Sequence, residues 1–319
     1  MTTTSPIICA QNMRRLAALV LLCVGLALPT LTPAIAQETF KTPDAAADAL
    51  ASAARNNDRA AILNVLGREG ADIASSGDPV ADSAIRTKFV ETYDAKHQVK
   101  MDGDAKAALI IGSDDFPFPI PLIRKGDSWQ FDTAAGRQEI LARRIGRNEL
   151  DAIQSSLAYV DAQNEYADKD RTGAGAGVYA QRIVSETGRK NGLYWPSSAS
   201  GDESPLGELV AEAAQQGYRV GEGRAPYHGY YFKILTKQGP DAHGGALDYV
   251  VNGKMLGGFA LVAYPAEYRN SGVMTFIVNH EGVVFQKDLG PRTAELAERM
   301  TAFNPDSSWS KVTDTEPVR

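Results

Sequence analysis

The sequence predicts an α+β protein with helices and antiparallel sheets in alternating blocks, and three observations carry that prediction. Residues 42–97 combine helix caps with helical spacing of apolar residues. A long helical pattern from about Ala134 to Asp170 divides the chain near its middle. The last third holds four β-rich runs separated by Gly, Pro, Asn and Asp.

Taken in order, residues 1–36 read as a secretory leader. Arg14 and Arg15 form a basic n-region, Leu16–Leu28 is an apolar stretch too short to span a bilayer, and "PAIA" ends in small residues. Cleavage is expected between Ala36 and Gln37, leaving a periplasmic or secreted chain with no transmembrane segment. The residues after the paired arginines fit a twin-arginine signal poorly, and Leu22 before Cys23 does not fit a lipid anchor. Both cysteines, Cys9 and Cys23, lie in the leader, so the mature chain has no disulfide, thiol nucleophile or thiolate-bound zinc. Its net charge moves from −6 to −8 on loss of the two arginines, which argues against nucleic acid as a partner.

The mature chain begins with two short helices, one capped by Thr42 or Asp44 and broken at Asn56–Asn57, the next opening at Asp58 and ending at Gly67. A third helix, about Pro79 to His97, carries Ile85, Phe89, Val90 and Tyr93. Strands follow at 108–112 and in "PIPLIRKGDSWQFD", where Lys125-Gly126-Asp127 is a hairpin turn. In "FPFPIP", prolines 117, 119 and 121 remove donors from one edge only, so the segment pairs on a single side.

Leu150, Ile153, Leu157 and Val160 place a buried stripe on the long helix, which Gly146 kinks or divides. Glycines in "RTGAGAG" end it, and a loop-rich region runs to about Ser204. "PLGELVAEAAQQG" is a short helix. "YYFKILT", "GGFALVAYPAEY", "GVMTFIVN" and "GVVFQKD" form an antiparallel meander, with the third, apolar on both faces, at its centre. "NHEG" at 279–282 is a tight turn, "PRTAELAERMTAF" a last helix, and the residues after Lys311 a disordered tail. The expected organisation is thus leader 1–36, an N-terminal α+β unit 37–133, long helix plus sheet 134–303, and tail 304–319.

"YAQRIVSETGRKNGLYWP", "YHGYYFKILTKQG", "GGFALVAYPAEYRNSGVMTFIVNHEGVVFQKDLG" and "FNPDSSW" resemble an exported bacterial family known as domain of unknown function 2950. The resemblance covers nearly all of the mature chain; it implies export and supplies no functional residues. Residues 40–133 look NTF2-like or cystatin-like, and 134–303 resemble the globular part of pseudopilins. The long helix departs from a pilin's, because it follows a whole domain and opens with the charged "AGRQEILARRIGRNE".

Candidate chemistry concentrates in "PYHGYYFKILTKQGPDAHGG" at 226–245. His228 precedes a strand beginning at Tyr230, and His243 lies in the turn after it. With Asp241 or His280 they could approach a metal, but this spacing is not that of a zinc site, and a strand flanked by solvated histidines is the simpler reading. His97 reads as a helix-end residue. No Gly-x-Ser-x-Gly elbow is present, Ser271 sits in a turn, and the pairs Asp114–Asp115 and Asp202–Glu203 read as loop carboxylates. "GAGAG" at 173–177 lacks the rest of a phosphate loop. Tyr194 and Trp195 are the best surface-contact candidates, for a sugar, peptide or partner strand, against the alternative of anchoring their loop. The residues considered as ligand or partner contacts are therefore Tyr194, Trp195, His228, Tyr230 and His243. No catalytic residue, metal or cofactor is assigned. The expected role is a non-catalytic binding or assembly module of the cell envelope, acting on an envelope protein or small ligand; the alternative is a periplasmic hydrolase, possibly metal-dependent, using loop histidines.

Overall fold

The computed structural model describes residues 37–196, 203–219 and 225–313. The expected leader, the last six residues, Ser200 and Asp202 lie outside the described residues.

Thr42 caps α1 (Pro43–Arg55) by accepting from the Ala45 N–H, and Asp58 caps α2 (Arg59–Leu66) by accepting from that of Ala61. A short α3 (Ala71–Ala74) leads into α4 (Pro79–Ala95), whose N-cap is Asp78. His97, expected at that helix's end, instead opens the next strand; its ring stacks on Tyr93 and its Nδ1 lies 2.9 Å from the Tyr93 carbonyl. Ile85, expected in the buried stripe, is exposed.

The first sheet holds β1 (His97–Asp102), β2 (Lys106–Ile111), β3 (Phe116–Pro117), β4 (Leu122–Lys125) and β5 (Ser128–Phe131), in the order β1-β2-β4-β5 with β3 on β2. The proline segment pairs on one side as expected, through β3 and the Phe118 N–H to the Leu109 carbonyl. Leu50, Ile62, Ile120, Leu122 and Phe131 fill a first core between these strands and the helices.

Helix α5 (Thr133–Ala167) runs 35 residues without a break. Gly146, expected to kink or divide it, lies inside continuous helix and meets no neighbour. Gly136 matters more. A Cβ there would stand 2.5 Å from the Pro119 carbonyl and 2.6 Å from the Ile120 Cα, so only glycine lets the helix lie this close to the proline segment. The C-terminal half of α5 buries Ala152, Ile153, Tyr159, Val160 and Tyr166 in a second core. Of the expected stripe, Leu157 packs at the rim of this core and Leu150 is exposed.

After α6 (Gly207–Gln215) come β6 (Tyr230–Leu235), β7 (Lys237–Gln238), β8 (Leu247–Asp248), β9 (Val250–Val251) and β10 (Lys254–Met255). β11 (Ala260–Pro265), β12 (Met274–Asn279), β13 (Phe285–Asp288), α7 (Thr293–Arg299), β14 (Ala302–Phe303) and β15 (Ser310–Lys311) complete the chain. The second sheet is antiparallel, ordered β15-β13-β12-β11-β6, with the almost fully buried β12 at its centre. The expected meander gains a fifth strand, because residues 310–311, assigned to a tail, pair with β13 and Val312 is buried behind them. Two small separate sheets, β14-β7-β8 and β9-β10, are not anticipated from the sequence. The architecture is α+β throughout.

Candidate functional site

Where the two cores meet, polar side chains are buried rather than exposed, and Asp78 is at their centre. Its Oδ1 accepts from the N–H groups of Val80 and Ala81, capping α4, while Oδ2 accepts from the Tyr218 hydroxyl and the Gly229 N–H, each at 2.9 Å. One fully buried carboxylate thus ties the start of α4 to the segments at Tyr218 and Gly229.

The loop at Gly229 is a tight hairpin. Tyr227 and Tyr230 exchange backbone hydrogen bonds of 2.8 and 3.0 Å, and the two residues between them, His228 and Gly229, have φ of +48° and +75°. Paired positive φ values match the right-handed twist of the strands, and glycine takes the second without cost. A Cβ at Gly229 would also strike the Asn148 amide at 2.5 Å. The turn is locked further by the His228 N–H donating to the Tyr218 hydroxyl oxygen.

This geometry sets the His228 imidazole between the rings of Tyr218 and Tyr227, with centroids 5.7 and 4.2 Å away. Its Nδ1 lies 3.3 Å from Asp151 Oδ2 on α5. Burial raises the Asp151 pKa, while His228 and then Arg147 pull it down and Glu212 pushes it up. The phenols beside the pair stay neutral: burial, followed by Asp78, raises that of Tyr218, and burial, followed by Glu212 and Asp151, pushes that of Tyr227 up to about 12. Because Asp151 binds its proton more tightly in the folded chain, its contribution to stability is full below the ordinary value of 3.8 and is lost as pH rises through the folded value. Asp151→Asn should therefore be more stable than the parent at pH 7, with the difference vanishing near pH 3. Urea titrations at the two pH values check this; an equal offset at both excludes Asp151 as its source.

Beside the turn lies a cavity of about 400 Å3 lined by residues of α5, α6 and β6 and by Tyr218, Arg219, Ala225, Pro226 and Tyr227. Tyr159, Leu209, Val210, Ala213, Phe232 and Leu261 give it a largely apolar wall, with Ser155 and Tyr227 as polar points. A concave apolar site with few convergent polar groups is the usual form of a small-ligand pocket, and this volume is at the small end of that class.

Of the residues considered from sequence none lines this cavity, and His228 comes nearest to it in the chain, next to the lining residue Tyr227. Trp195 is buried in the second core, with Arg171 and Lys190 against its ring, and Tyr194 is half-buried beside it. Tyr230 is fully buried and donates its hydroxyl to the Met274 carbonyl. Trp195 and Tyr230 therefore present no open ring for contact. His243 is 87% exposed and pairs at 2.6 Å with Glu281, beyond the opposite end of β6 from His228, so the two histidines do not converge. His280 packs edge-on to Tyr249 and Phe259. Among the described residues no three His, Cys, Asp or Glu side chains are grouped to hold a metal, and no described helix is long and apolar enough to cross a membrane. Ser271 closes its turn by hydrogen bonding with Glu267.

Sequence reasoning passed over Asp78, Asp151, Tyr218 and Tyr227. "GDP" before a helix and "HG" between two tyrosines were local signals for the cap and the turn. Nothing local marked Asp151, which meets His228 only through the fold.

A family model described as a protein of unknown function (DUF2950) matches residues 37–312. No curated protein and no solved structure matches the chain. The resemblances to pseudopilins and to NTF2-like or cystatin-like domains thus have no solved relative behind them.

Proposed function

We propose a non-catalytic binding role for this chain, which belongs to the DUF2950 family of proteins of unknown function: an exported module that takes an apolar group into the cavity between α5, α6 and β6. The observation that carries this reading is the cavity itself, apolar, about 400 Å3 and opening beside a polar rim. Its walls come from three separately held elements, each with its own core anchors. A small apolar molecule or one large apolar side chain is the size of occupant it suits.

Export rests on the leader's n-region, apolar stretch and small-residue end, and on the family match beginning at residue 37, where cleavage is expected. Intact mass of the chain recovered from its native envelope fraction should correspond to Gln37 as first residue; a mass retaining residues 1–36 rejects that location.

The binding reading is tested with an apolar fluorescent probe, 1-anilinonaphthalene-8-sulfonate. Residues 37–319 should bind it stoichiometrically, and Val210→Trp, which fills the cavity, should weaken binding at least tenfold without loss of cooperative unfolding. Equal binding by both proteins removes the cavity from the account. The hydrolase alternative draws support from one observation, the His228–Asp151 pair, whose histidine follows the cavity residue Tyr227. The same two preparations and His228→Ala can be offered p-nitrophenyl butyrate. Turnover that disappears in His228→Ala favours catalysis, and its absence from all three leaves the binding role.

A further inference from the structure

The edge of β6 next to the cavity carries unpaired main-chain groups. Residues along a strand alternate in the direction of their N–H and C=O. Gly229 accepts from Ala266, in line with β11, whereas Tyr230 bonds in both directions to Tyr227, on the other side. Thr236, also even-numbered, bonds away from β11 as well, donating to the Thr301 carbonyl and accepting from the Tyr249 N–H. Phe232 and Ile234 fall between them on the outward side, and among the described residues neither has a backbone partner there. The ladder is therefore filled at both ends and open over two residues.

The two-residue turn at His228–Gly229 sets a register that would place Ala225 opposite Phe232, but among the described residues the one rung formed is Tyr227 to Tyr230. Ala225 and Pro226 line the cavity instead. The sequence before them, "RVGEGR", contains Gly221 and Gly223, and Pro226 follows, all residues with poor strand propensity.

From this we infer that the partner is an extended peptide segment that adds to β6 opposite Phe232 and Ile234 and places one apolar side chain in the cavity. The inference rests on the binding role proposed above and names its ligand class. Two outward N–H and two outward C=O groups are chemistry that another extended main chain satisfies and that a compact apolar molecule does not. A residue added opposite Phe232 shares its face of the sheet. Phe232, Leu261 and Tyr159 wall the cavity on that side, so the incoming side chain enters it. The filled rungs at Tyr230 and Thr236 limit the paired stretch to a few residues and fix its ends. An edge kept this short also resists unwanted pairing between copies.

The experiment is selection of random heptapeptides displayed on phage against residues 37–319, followed by amide hydrogen exchange. In the free chain the amides of Phe232 and Ile234 should exchange much faster than those of Tyr231 and Lys233. Selected peptides should slow those two amides at least tenfold and displace the fluorescent probe. N-methylation of alternate peptide amides should weaken binding at least tenfold, and so should Ile234→Pro, which removes an outward donor at a position where an edge strand tolerates proline. Should that variant fail to fold, the N-methylated peptides decide alone. Slow exchange at Phe232 and Ile234 in the free chain would mean that residues 219–226 close the edge themselves, and overturns the inference. So does a selection that enriches nothing, or peptides indifferent to N-methylation; probe binding lost only in Val210→Trp would then leave the cavity as a small-molecule site. Absence of both peptide and probe binding removes the underlying binding role as well.

Discussion

Asp78→Ala should lower stability by about 3–7 kcal/mol, the sum of a lost helix cap of about 1 kcal/mol and two stranded buried donors at about 1–3 kcal/mol each. The donors are the Tyr218 hydroxyl and the Gly229 N–H, which share Oδ2 in a site with no solvent exposure of the carboxylate. A loss of this size lowers the melting temperature by on the order of 10 °C in a chain of this length. Asp78→Asn should fall between the two. Its single oxygen serves either the helix cap or the loop donors, and its NH2 group faces the other set. Thr42→Ala is the control, because it removes a cap on α1 and strands nothing in the interior. Urea unfolding of the four proteins decides the point: an Asp78→Ala cost no larger than that of Thr42→Ala would falsify the joining role. The substitution should also release the His228 turn and weaken probe binding, since the cavity wall at Tyr218 and Tyr227 hangs from this carboxylate.

Arg144→Leu should cost about 3–5 kcal/mol, as for other buried charges whose hydrogen-bond partners are left behind. Arg144 leaves α5 at the junction of the cores with 5% of its surface exposed. One terminal nitrogen donates to the Asp72 carbonyl and to Asn270 Oδ1, both at 2.6 Å, and the other to the Ile73 carbonyl at 2.9 Å. Two of these acceptors belong to α3, a helix of four residues too short to satisfy its own carbonyls. Burial pulls the guanidinium pKa down, and Asp82 and Asp72 push it up. Leucine fills the volume and satisfies none of the acceptors. Lysine, a point donor without the planar fork, should recover only part of the loss. Equal midpoints in urea for the parent and Arg144→Leu would show that α3 and the 267–272 turn do not depend on it.

How much of this was legible in the chain differs by element, and the difference has a cause. Caps at Thr42 and Asp58, the Gly126–Asp127 turn and the one-sided proline segment follow from local sterics and donor counts, and each stands where the residues place it. The four main strands of the second sheet were legible because period-two apolar runs bounded by turn residues have few alternatives. Short ladders such as β7, β8 and β14 were not, since two residues carry no period. Gly146 suggested a kink by propensity, yet the helix runs through, because tertiary packing over 35 residues outweighs about 1 kcal/mol at one position. Gly136, by contrast, looked ordinary and turns out to set how closely α5 approaches the first sheet.

The candidate site was legible only at His228, and there only as a histidine before a strand. Trp195 and Tyr230 looked like contacts because large aromatic rings favour interfaces and cores alike. Burial separates those two uses, and burial is a property of the whole fold. By itself the sequence determined the α+β class, the capped N-terminal helices and the order of the main strands, all consequences of interactions within a few residues. Only the tertiary structure decided that Asp78 joins three segments, that Asp151 meets His228 across 77 positions, and that β6 borders an apolar cavity. Those contacts depend on where elements far apart in the chain come to rest, which no local pattern specifies.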